Sequence, residues 1–333
     1  MDLKVIQNII VLLDEGNTIP FIARYRKELT QGATDEQLRD FHEVYAYTKN
    51  LEARKEDVIR LIEEKGLMTE ELRKQIMEAE TLARVEDLYR PFKEKKNTRA
   101  TIAKAKGLEP LAEVLRQAEM SKEDFEAEAE KFVKDTGDEK TSVKSKEEAI
   151  GGAQDIVAED VSDHANLRED IKMHEELHAI LETKPTKTFE ENGVYKIYGD
   201  YKKSLKEIPS YAYLAMFRAE KEKQIAVDIG MARPRIVELA EKYFIPVNTP
   251  LRKGGSSEGT GGVTDLEKSS LPPFAKGGCI IYLQQAIEDG LKRLLLPSLE
   301  REIRSDKKRR ADEAAIKVFG ENMKNLLLMP PIQ

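Results

Sequence analysis

Apolar residues recur every three or four positions along most of this chain of 333 residues, with charged residues between them. This spacing places an apolar stripe on one side of a helix, because an α-helix turns once about every 3.6 residues. The longest example contains Leu38, Phe41 and Leu51 and predicts one helix that begins at Thr34 and continues to Gly66. The pattern therefore predicts a mainly α fold made of many amphipathic helices.

Breaks in the pattern divide its middle part into short helices. Between residues 98 and 133, Gly107 and Ser121 split the sequence into three of them. Short helices joined by tight turns are typical of helix-turn-helix arrangements, so this stretch predicts a packet of that kind. Residues 146–184 predict two longer helices that meet near Ser162.

The C-terminal part of the chain predicts two more helices. The first follows Cys279 and is interrupted near Pro297, because proline removes a backbone donor. The second begins at Ala311 and ends before Pro330. A run of four cations, residues 307–310, is expected to form a solvated turn or helix end between them.

Only a few residues favour β structure. After Pro185, alternating Tyr195, Ile197 and Tyr201 lie between two turn signals and predict a small hairpin. The sequence QIAVDI at 224–229 predicts a short strand. We therefore expect at most a small hairpin or short strands beside the helices.

Residues 246–278 are rich in glycine, proline and serine and have no hydrophobic period. Loops of this length are uncommon inside compact domains, so the segment is interpreted as a loop or an insertion. Its GGSSEGTGG sequence lacks the lysine and the preceding strand of a phosphate-binding loop. No cofactor site is expected there or elsewhere.

Composition limits the classes of protein that this chain can belong to. The net charge of −7 provides no global attraction to polyanions, so any nucleic-acid binding must be local. The single cysteine, Cys279, excludes an internal disulfide framework and is expected to be a buried or loop thiol. Neither a secretory signal nor an apolar run of transmembrane length is present. These features favour a cytoplasmic protein without a membrane partner.

The strongest local candidate for binding is the segment RPFKEKKNTRATIAKAK, residues 90–106. It carries a single anion, Glu94, among seven cations, and this excess can displace counterions from a phosphate backbone. Thr98 is also expected to cap the helix that follows. The alternative interpretation is a solvated loop anchored to the core by its aromatic residues. The candidate nucleic-acid-binding residues are Arg90, Lys93, Lys95, Lys96, Arg99, Lys104 and Lys106.

A second cationic segment, FIARYRKE at 21–28, favours a structural interpretation. At helical spacing, Phe21, Ile22 and Tyr25 share one face and are expected in the core. Arg24, Arg26 and Lys27 would then point to solvent or pair with carboxylates.

The segment 174–178 reads HEELH and fits the H-E-x-x-H pattern of zinc peptidases. On a helix His174 and His178 would share a face, and Glu175 would act as a general base. A third ligand is not evident, because Glu190 and Glu191 come only after Pro185. An ordinary packed helix is therefore the favoured interpretation, and no enzyme activity is expected.

Three longer segments carry a more specific signal. Residues 12–32, 85–112 and 295–332 closely resemble the N-terminal half of the bacterial Tex family, RNA-binding transcriptional accessory proteins. GGAQDIVAEDVSDHANLRE and IPSYAYLAMFRAEKE also resemble Tex segments in the same order. The stretch at 247–278 is unlike the family.

The resemblance implies a discontinuous helical domain, in which residues 1–70 pack with 185–333, and an inserted helix-turn-helix-like region at 71–184. Tex chains continue into RNase H-like, helix-hairpin-helix and S1 domains, which are expected partners in the family architecture.

The leading hypothesis is a non-catalytic Tex module that binds nucleic acid weakly, RNA in preference, and assists transcription near RNA polymerase or elongation components. The first alternative is a helical protein-interaction scaffold with no nucleic-acid binding of its own. A zinc peptidase is the remote alternative.

Overall fold

The computed structural model describes residues 2–134, 137, 141–245 and 278–328. Helices dominate these residues, with one small sheet, which confirms the mainly α fold. The chain divides into two compact units, Met1–Lys93 and Glu94–Gln333. The discontinuous packing of residues 1–70 with 185–333 stays a prediction.

The first unit consists of helices whose apolar faces enclose a small core. This core contains Val5, Ile9 and Ile22 from the first two helices, and Leu38 from the fourth. The helices are α1 (Leu3–Asp14), α2 (Ile19–Tyr25), α3 (Lys27–Thr30), α4 (Asp35–Glu64), α5 (Glu70–Glu78) and α6 (Leu82–Tyr89).

The start of α4 is fixed by a capping box. The Gln37 backbone N–H donates to Thr34 Oγ1 at 3.2 Å, and the Thr34 N–H donates to Gln37 Oε1 at 3.0 Å. Two backbone donors that the helix cannot satisfy by itself are thereby paired. The predicted long helix is confirmed, and it ends at Glu64, two residues before Gly66.

The second unit is built around one central helix, α10. Its Ala149, Ala153, Ile156, Val157 and Val161 are fully buried and contribute to the largest apolar cluster of the chain's described residues. The helices of this unit are α7 (Arg99–Ala105), α8 (Glu109–Gln117), α9 (Lys122–Glu130), α10 (Lys146–Asp163), α11 (Ala165–His178), α12 (Ser210–Lys221), α13 (Arg233–Phe244), α14 (Ile280–Asp289) and α15 (Leu296–Leu327).

The three short helices predicted between residues 98 and 133 are α7, α8 and α9, and they break at the predicted positions. Gly107 adopts a φ of +80°, a left-handed conformation that favours glycine and closes the turn after α7. Ser121 caps α9 by accepting the Asp124 backbone N–H at 3.1 Å. The helix-turn-helix-like arrangement of the three stays a prediction.

The predicted helix through Lys184 is wrong in its last part, because α11 ends at His178 and a strand follows. Strand β1 (Ile180–Pro185) lies between β2 (Lys202–Ser204) and β3 (Ile225–Gly230) in an antiparallel sheet, with Leu181 opposite Lys203 and Ile229. Leu181 is buried while Leu177 is exposed. These two leucines are four residues apart, as on one face of a helix, but burial alternates along β1 as it does in a strand.

The hairpin predicted around Tyr195, Ile197 and Tyr201 is also wrong. Residues 196–198 form a short 3-10 turn, and β2 pairs with the distant β1. The Thr183 hydroxyl organises this loop, since it donates to the Tyr198 carbonyl at 2.5 Å and accepts the Tyr201 N–H at 3.0 Å. The strand predicted at QIAVDI is confirmed as β3.

The break predicted between the last two helices does not exist. Helix α14 passes through a π-helical segment, Gly290–Leu295, into the single long helix α15. The cationic run 307–310 therefore lies inside α15, and Pro297 comes two residues after the end of the π-helical segment. The predicted loop at 246–278 lies outside the described residues except for Gly278.

None of the described helices combines the length and the apolar character that crossing a bilayer requires.

The close approach of the π-helical segment to α10 yields a stability prediction. A Cβ added at Gly290 would lie 2.6 Å from the Ala158 carbonyl oxygen and 3.0 Å from its Cα, and backbone atoms cannot easily move away. We expect Gly290→Ala to lower the free energy of unfolding by about 1–3 kcal/mol in urea denaturation, as overpacking does.

Gly320 in α15 is the matched control, because nothing lies within 4 Å of an added Cβ there. Gly320→Ala should raise the free energy of unfolding by about 0.5–1 kcal/mol through helix propensity alone. Equal effects of the two substitutions would contradict this packing.

Candidate nucleic-acid interface

Hydrogen bonds between side chains and backbone fix the candidate segment 90–106 near Phe92 and near Thr98. Pro91 lies in a short 3-10 turn, Arg90–Phe92, and the Lys65 ammonium donates to the Phe92 carbonyl at 2.6 Å. On the other side, Thr98 caps α7, because its Oγ1 accepts the Thr101 N–H at 3.0 Å. The predicted cap is confirmed, and the cations occupy defined positions.

The seven candidate cations do not belong to one compact unit. Arg90 and Lys93 lie in the first unit, and Lys95, Lys96, Arg99, Lys104 and Lys106 lie in the second. Lys93 and Lys96 are exposed, and no carboxylate of the described residues forms an ion pair with either. Arg90 is half-buried and has contacts of its own.

Two of the cations in the second unit are engaged by α10. The Lys95 ammonium lies 3.5 Å from Glu159 Oε1 and pairs with Asp163, and only 26% of its side chain is exposed. Lys106 pairs with Glu148 and is 15% exposed. This ammonium, together with the Lys144 backbone N–H, holds the pKa of the Glu148 carboxyl below its usual range. These contacts give Lys95 and Lys106 a structural role.

Arg99 and Lys104 make weaker contacts with carboxylates. The Arg99 guanidinium lies 3.9 Å from Asp155, and the Lys104 ammonium lies 3.5 Å from Glu109. Their side chains are 66% and 43% exposed, and such surface pairs contribute little to stability. Asp155 also pairs with Arg293 at 2.9 Å, and burial raises the pKa of the Asp155 carboxyl. A phosphate oxygen can therefore replace these contacts at small cost.

The geometry thus separates the candidate residues of the second unit into two groups. Lys95 and Lys106 lie against the carboxylates of α10, while Lys96, Arg99 and Lys104 are exposed to solvent. Charge counting along the sequence cannot make this separation, because the carboxylates come from residues 148–163.

The cationic run at residues 307–310 is partly neutralised by carboxylates of α15 and α11. Arg309 pairs with Asp306 and Glu313 at 2.7 and 2.8 Å. Arg310 pairs with Asp306 at 2.7 Å and lies 3.6 Å from Glu176. The run is therefore a charged surface in the middle of α15, and the predicted solvated turn or helix end is wrong.

The FIARYRKE segment differs from its structural interpretation. Ile22 is buried as expected, but Tyr25 is 62% exposed. The helical stripe is interrupted because α2 ends at Tyr25, and Arg26 leaves the helical conformation with φ −129° and ψ 30°. Sequence reasoning missed this exposure, since a seven-residue helix gives too few turns to reveal where its stripe ends.

The HEELH segment forms the end of α11, and its geometry differs from that of a peptidase site. The His174 and His178 rings stack with centroids 4.3 Å apart. Glu175 is fully buried, where its Oε1 lies 3.0 Å from His174 Nδ1 and accepts the Ala232 N–H at 3.4 Å. A carboxylate enclosed in this way cannot reach a water in an open cleft. Among the described residues, no group of three His, Cys, Asp or Glu side chains is arranged to hold a metal.

Cys279 lies directly before α14 and is fully buried, which is one of the two expected placements, a buried thiol or a loop thiol. Burial raises the pKa of its thiol, which disfavours the thiolate that a nucleophile needs.

Comparisons with known proteins agree with the resemblance of residues 12–32, 85–112 and 295–332 to the Tex family. A model of the Tex-like protein N-terminal domain matches residues 1–63, and a model of the Tex central region matches residues 121–246. The chain belongs to the Tex family. The candidate segment 90–106 lies between the two matched regions of this Tex-family chain.

Relatives of the Tex family align with nearly the whole chain. YdcI of Bacillus subtilis is 36% identical over 333 residues, which are 99% of this chain and 42% of that protein. The transcriptional accessory protein Tex of Neisseria gonorrhoeae is 33% identical over 97% of this chain and 39% of its own length. The human S1 RNA-binding domain-containing protein 1 is 25% identical over 98% and 31%. The chain therefore spans about two fifths of the length of its bacterial relatives.

The adjacent residues Lys95 and Lys96 provide a direct test of the division among the cations. Lys95→Met removes the partner of two largely buried carboxylates and should lower the free energy of unfolding by about 1–3 kcal/mol in urea denaturation. Lys96→Met should change it by less than about 0.5 kcal/mol, because Lys96 is exposed. If both variants lost the same free energy of unfolding, or if neither lost any, the structural role of Lys95 would be contradicted.

Proposed function

We propose that this Tex-family chain is a non-catalytic module that binds nucleic acid weakly through phosphate contacts and assists transcription. The observation that carries the proposal is the set of exposed cations at Lys96, Arg99 and Lys104, in a chain whose net charge is −7. Lys93, in the first unit, is a further exposed cation. Relatives named transcriptional accessory protein and S1 RNA-binding domain-containing protein support the transcription-related role and favour RNA.

The chemistry of these side chains sets the mode of binding that we propose. Ammonium and guanidinium groups release counterions from a phosphate backbone but carry no information about base sequence. Each phosphate contact with a single strand lowers the logarithmic salt slope by about 0.7, so three contacts give a slope of about −2. The proposed binding is therefore weak, sensitive to salt and independent of sequence.

A protein-interaction scaffold is the second candidate, and the charge of α9 favours it. Helix α9 is the last of the three short helices α7, α8 and α9. It exposes Glu123, Asp124 and Glu130, which repel a phosphate backbone. A helix of this kind suits a basic protein surface better than a DNA groove. RNA polymerase or elongation components are the partners that we propose for this surface.

The cellular location is inferred from chemistry alone. Cys279 is buried as a free thiol, a state that a reducing cytoplasm preserves. We therefore propose that the chain acts in the cytoplasm.

Binding of labelled single-stranded RNA, measured by fluorescence anisotropy at two salt concentrations, tests the proposal. Lys96→Glu combined with Arg99→Glu should raise the dissociation constant at least about tenfold at low salt, because two phosphate contacts become repulsive. The salt slope should become shallower by about 1.4. A separate Lys93→Glu variant tests the contribution of the first unit.

The charge-matched control is Lys317→Glu combined with Lys324→Glu, which changes two exposed cations of α15. It should leave the dissociation constant within about twofold if binding is local, because distant charges are screened. Equal weakening in both double variants would indicate only a response to net charge. Absence of binding by the native protein at low salt would refute the proposal, and recovery of polymerase components after nuclease treatment would then favour the scaffold.

A further inference from the structure

The junction between α2 and α3 presents an exposed tyrosine among three exposed cations. Arg24, Arg26 and Lys27 surround Tyr25 in the sequence, and all four side chains are exposed. In the part of the chain that the structure describes, no carboxylate forms an ion pair with any of these cations. Glu28 is the one acidic residue within 24–28, so this short segment carries a positive charge in an acidic chain.

Aromatic contacts hold part of this surface in place. The Arg26 guanidinium carbon lies 5.1 Å from the centroid of the Phe21 ring, a cation–π distance, and Arg26 also donates to the Tyr25 carbonyl at 3.2 Å. The Phe21 and Tyr25 rings lie 5.3 Å apart and are tilted by 47°. The half-buried Phe21 thus anchors the neighbouring side chains to the first unit. Side chains that are already held in place lose less conformational entropy when a ligand binds.

A single exposed aromatic side chain is common on protein surfaces and by itself indicates nothing. The combination is more specific, because a polyanion with unstacked bases needs both cations for its phosphates and a flat ring for a base. An acidic peptide would use only the cations and leave the Tyr25 ring without a partner. In a duplex the bases already stack on each other and cannot reach the ring.

We infer that Phe21, Arg24, Tyr25, Arg26 and Lys27 form a binding site for single-stranded nucleic acid, in which a base stacks on Tyr25 and the cations contact the flanking phosphates. This site lies in the first unit and does not depend on Lys96, Arg99 and Lys104 of the second. A strand with a flexible backbone and accessible bases is its ligand, and RNA and single-stranded DNA share that chemistry.

Anisotropy with a labelled uridine oligonucleotide of about 20 nucleotides, longer than the ~4–16 nucleotides of a typical single-strand site, tests the stacking part. Tyr25→Ala should raise the dissociation constant about 5-fold to 100-fold, the range that loss of one stacked base produces. Tyr25→Phe keeps the ring and should stay within about twofold. Tyr47→Ala is the control within the same unit, because Tyr47 is 45% exposed and lies on α4.

A second readout locates the site independently of affinity. Irradiation of a 4-thiouridine oligonucleotide bound to the whole chain should crosslink to the peptide containing residues 21–27, and Tyr25→Ala should reduce that crosslink. Triple replacement of Arg24, Arg26 and Lys27 by Gln should make the salt slope shallower by about 2. Single-stranded DNA in place of RNA, and a duplex of the same sequence, separate the two strand types from a double-stranded ligand.

The outcomes separate this inference from the proposal for residues 96–104. Weakening by Lys96→Glu with Arg99→Glu, but not by Tyr25→Ala, overturns the stacking site and leaves the other interface intact. The reverse result supports the stacking site alone. Equal affinity for duplex and single strand would show a purely electrostatic surface and overturn the inference. The same conclusion would follow if polyglutamate displaced the oligonucleotide equally well from the native protein and from the Tyr25→Ala variant.

Discussion

The ion pairs along α10 determine which of the candidate cations between residues 95 and 106 remain available to a ligand. Glu148, Asp155, Glu159 and Asp163 are seven or four residues apart, so they share one face of this helix, while its apolar residues form the core. Lys106, Arg99 and Lys95 all contact that face. The pairs differ in burial, and burial decides their strength: a charge removed from water needs its partner, whereas a charge at the surface exchanges partners at little cost.

This constraint changes how the cation-rich segment is understood. Seven positive charges in seventeen residues suggest a single basic patch, but two of them stabilise the attachment of the segment to α10. The exposed remainder is small, which agrees with the acidic charge of the chain as a whole. The relatives of the Tex family are more than twice as long as the aligned region.

Local signals predicted the helices well and the tertiary pairings poorly. The capping box at Thr34 and the breaks at Gly107 and Ser121 depend on neighbouring residues, so the sequence reveals them. Strand β1 could not be predicted, because Leu181 also continues a helical stripe and its strand partners lie at residues 202–204 and 225–230. The same limit applies to the candidate sites. Lys95 and Lys96 are equivalent in sequence, and only carboxylates more than sixty residues away distinguish them. Tyr25 lies at the helical spacing of a core residue, but α2 ends there, and the sequence pattern does not reveal that end.

Hydrogen–deuterium exchange of the whole chain, with and without single-stranded RNA at low salt, tests the division of charges most directly. We predict slower backbone exchange on RNA binding at residues 96–104 and around Tyr25, with unchanged exchange in α10, whose carboxylates keep their partners. Faster exchange in α10 on binding would contradict this division of charges, because it would mean that RNA withdraws Lys95 and Lys106 from the helix. Protection confined to other parts of the chain would contradict both candidate surfaces.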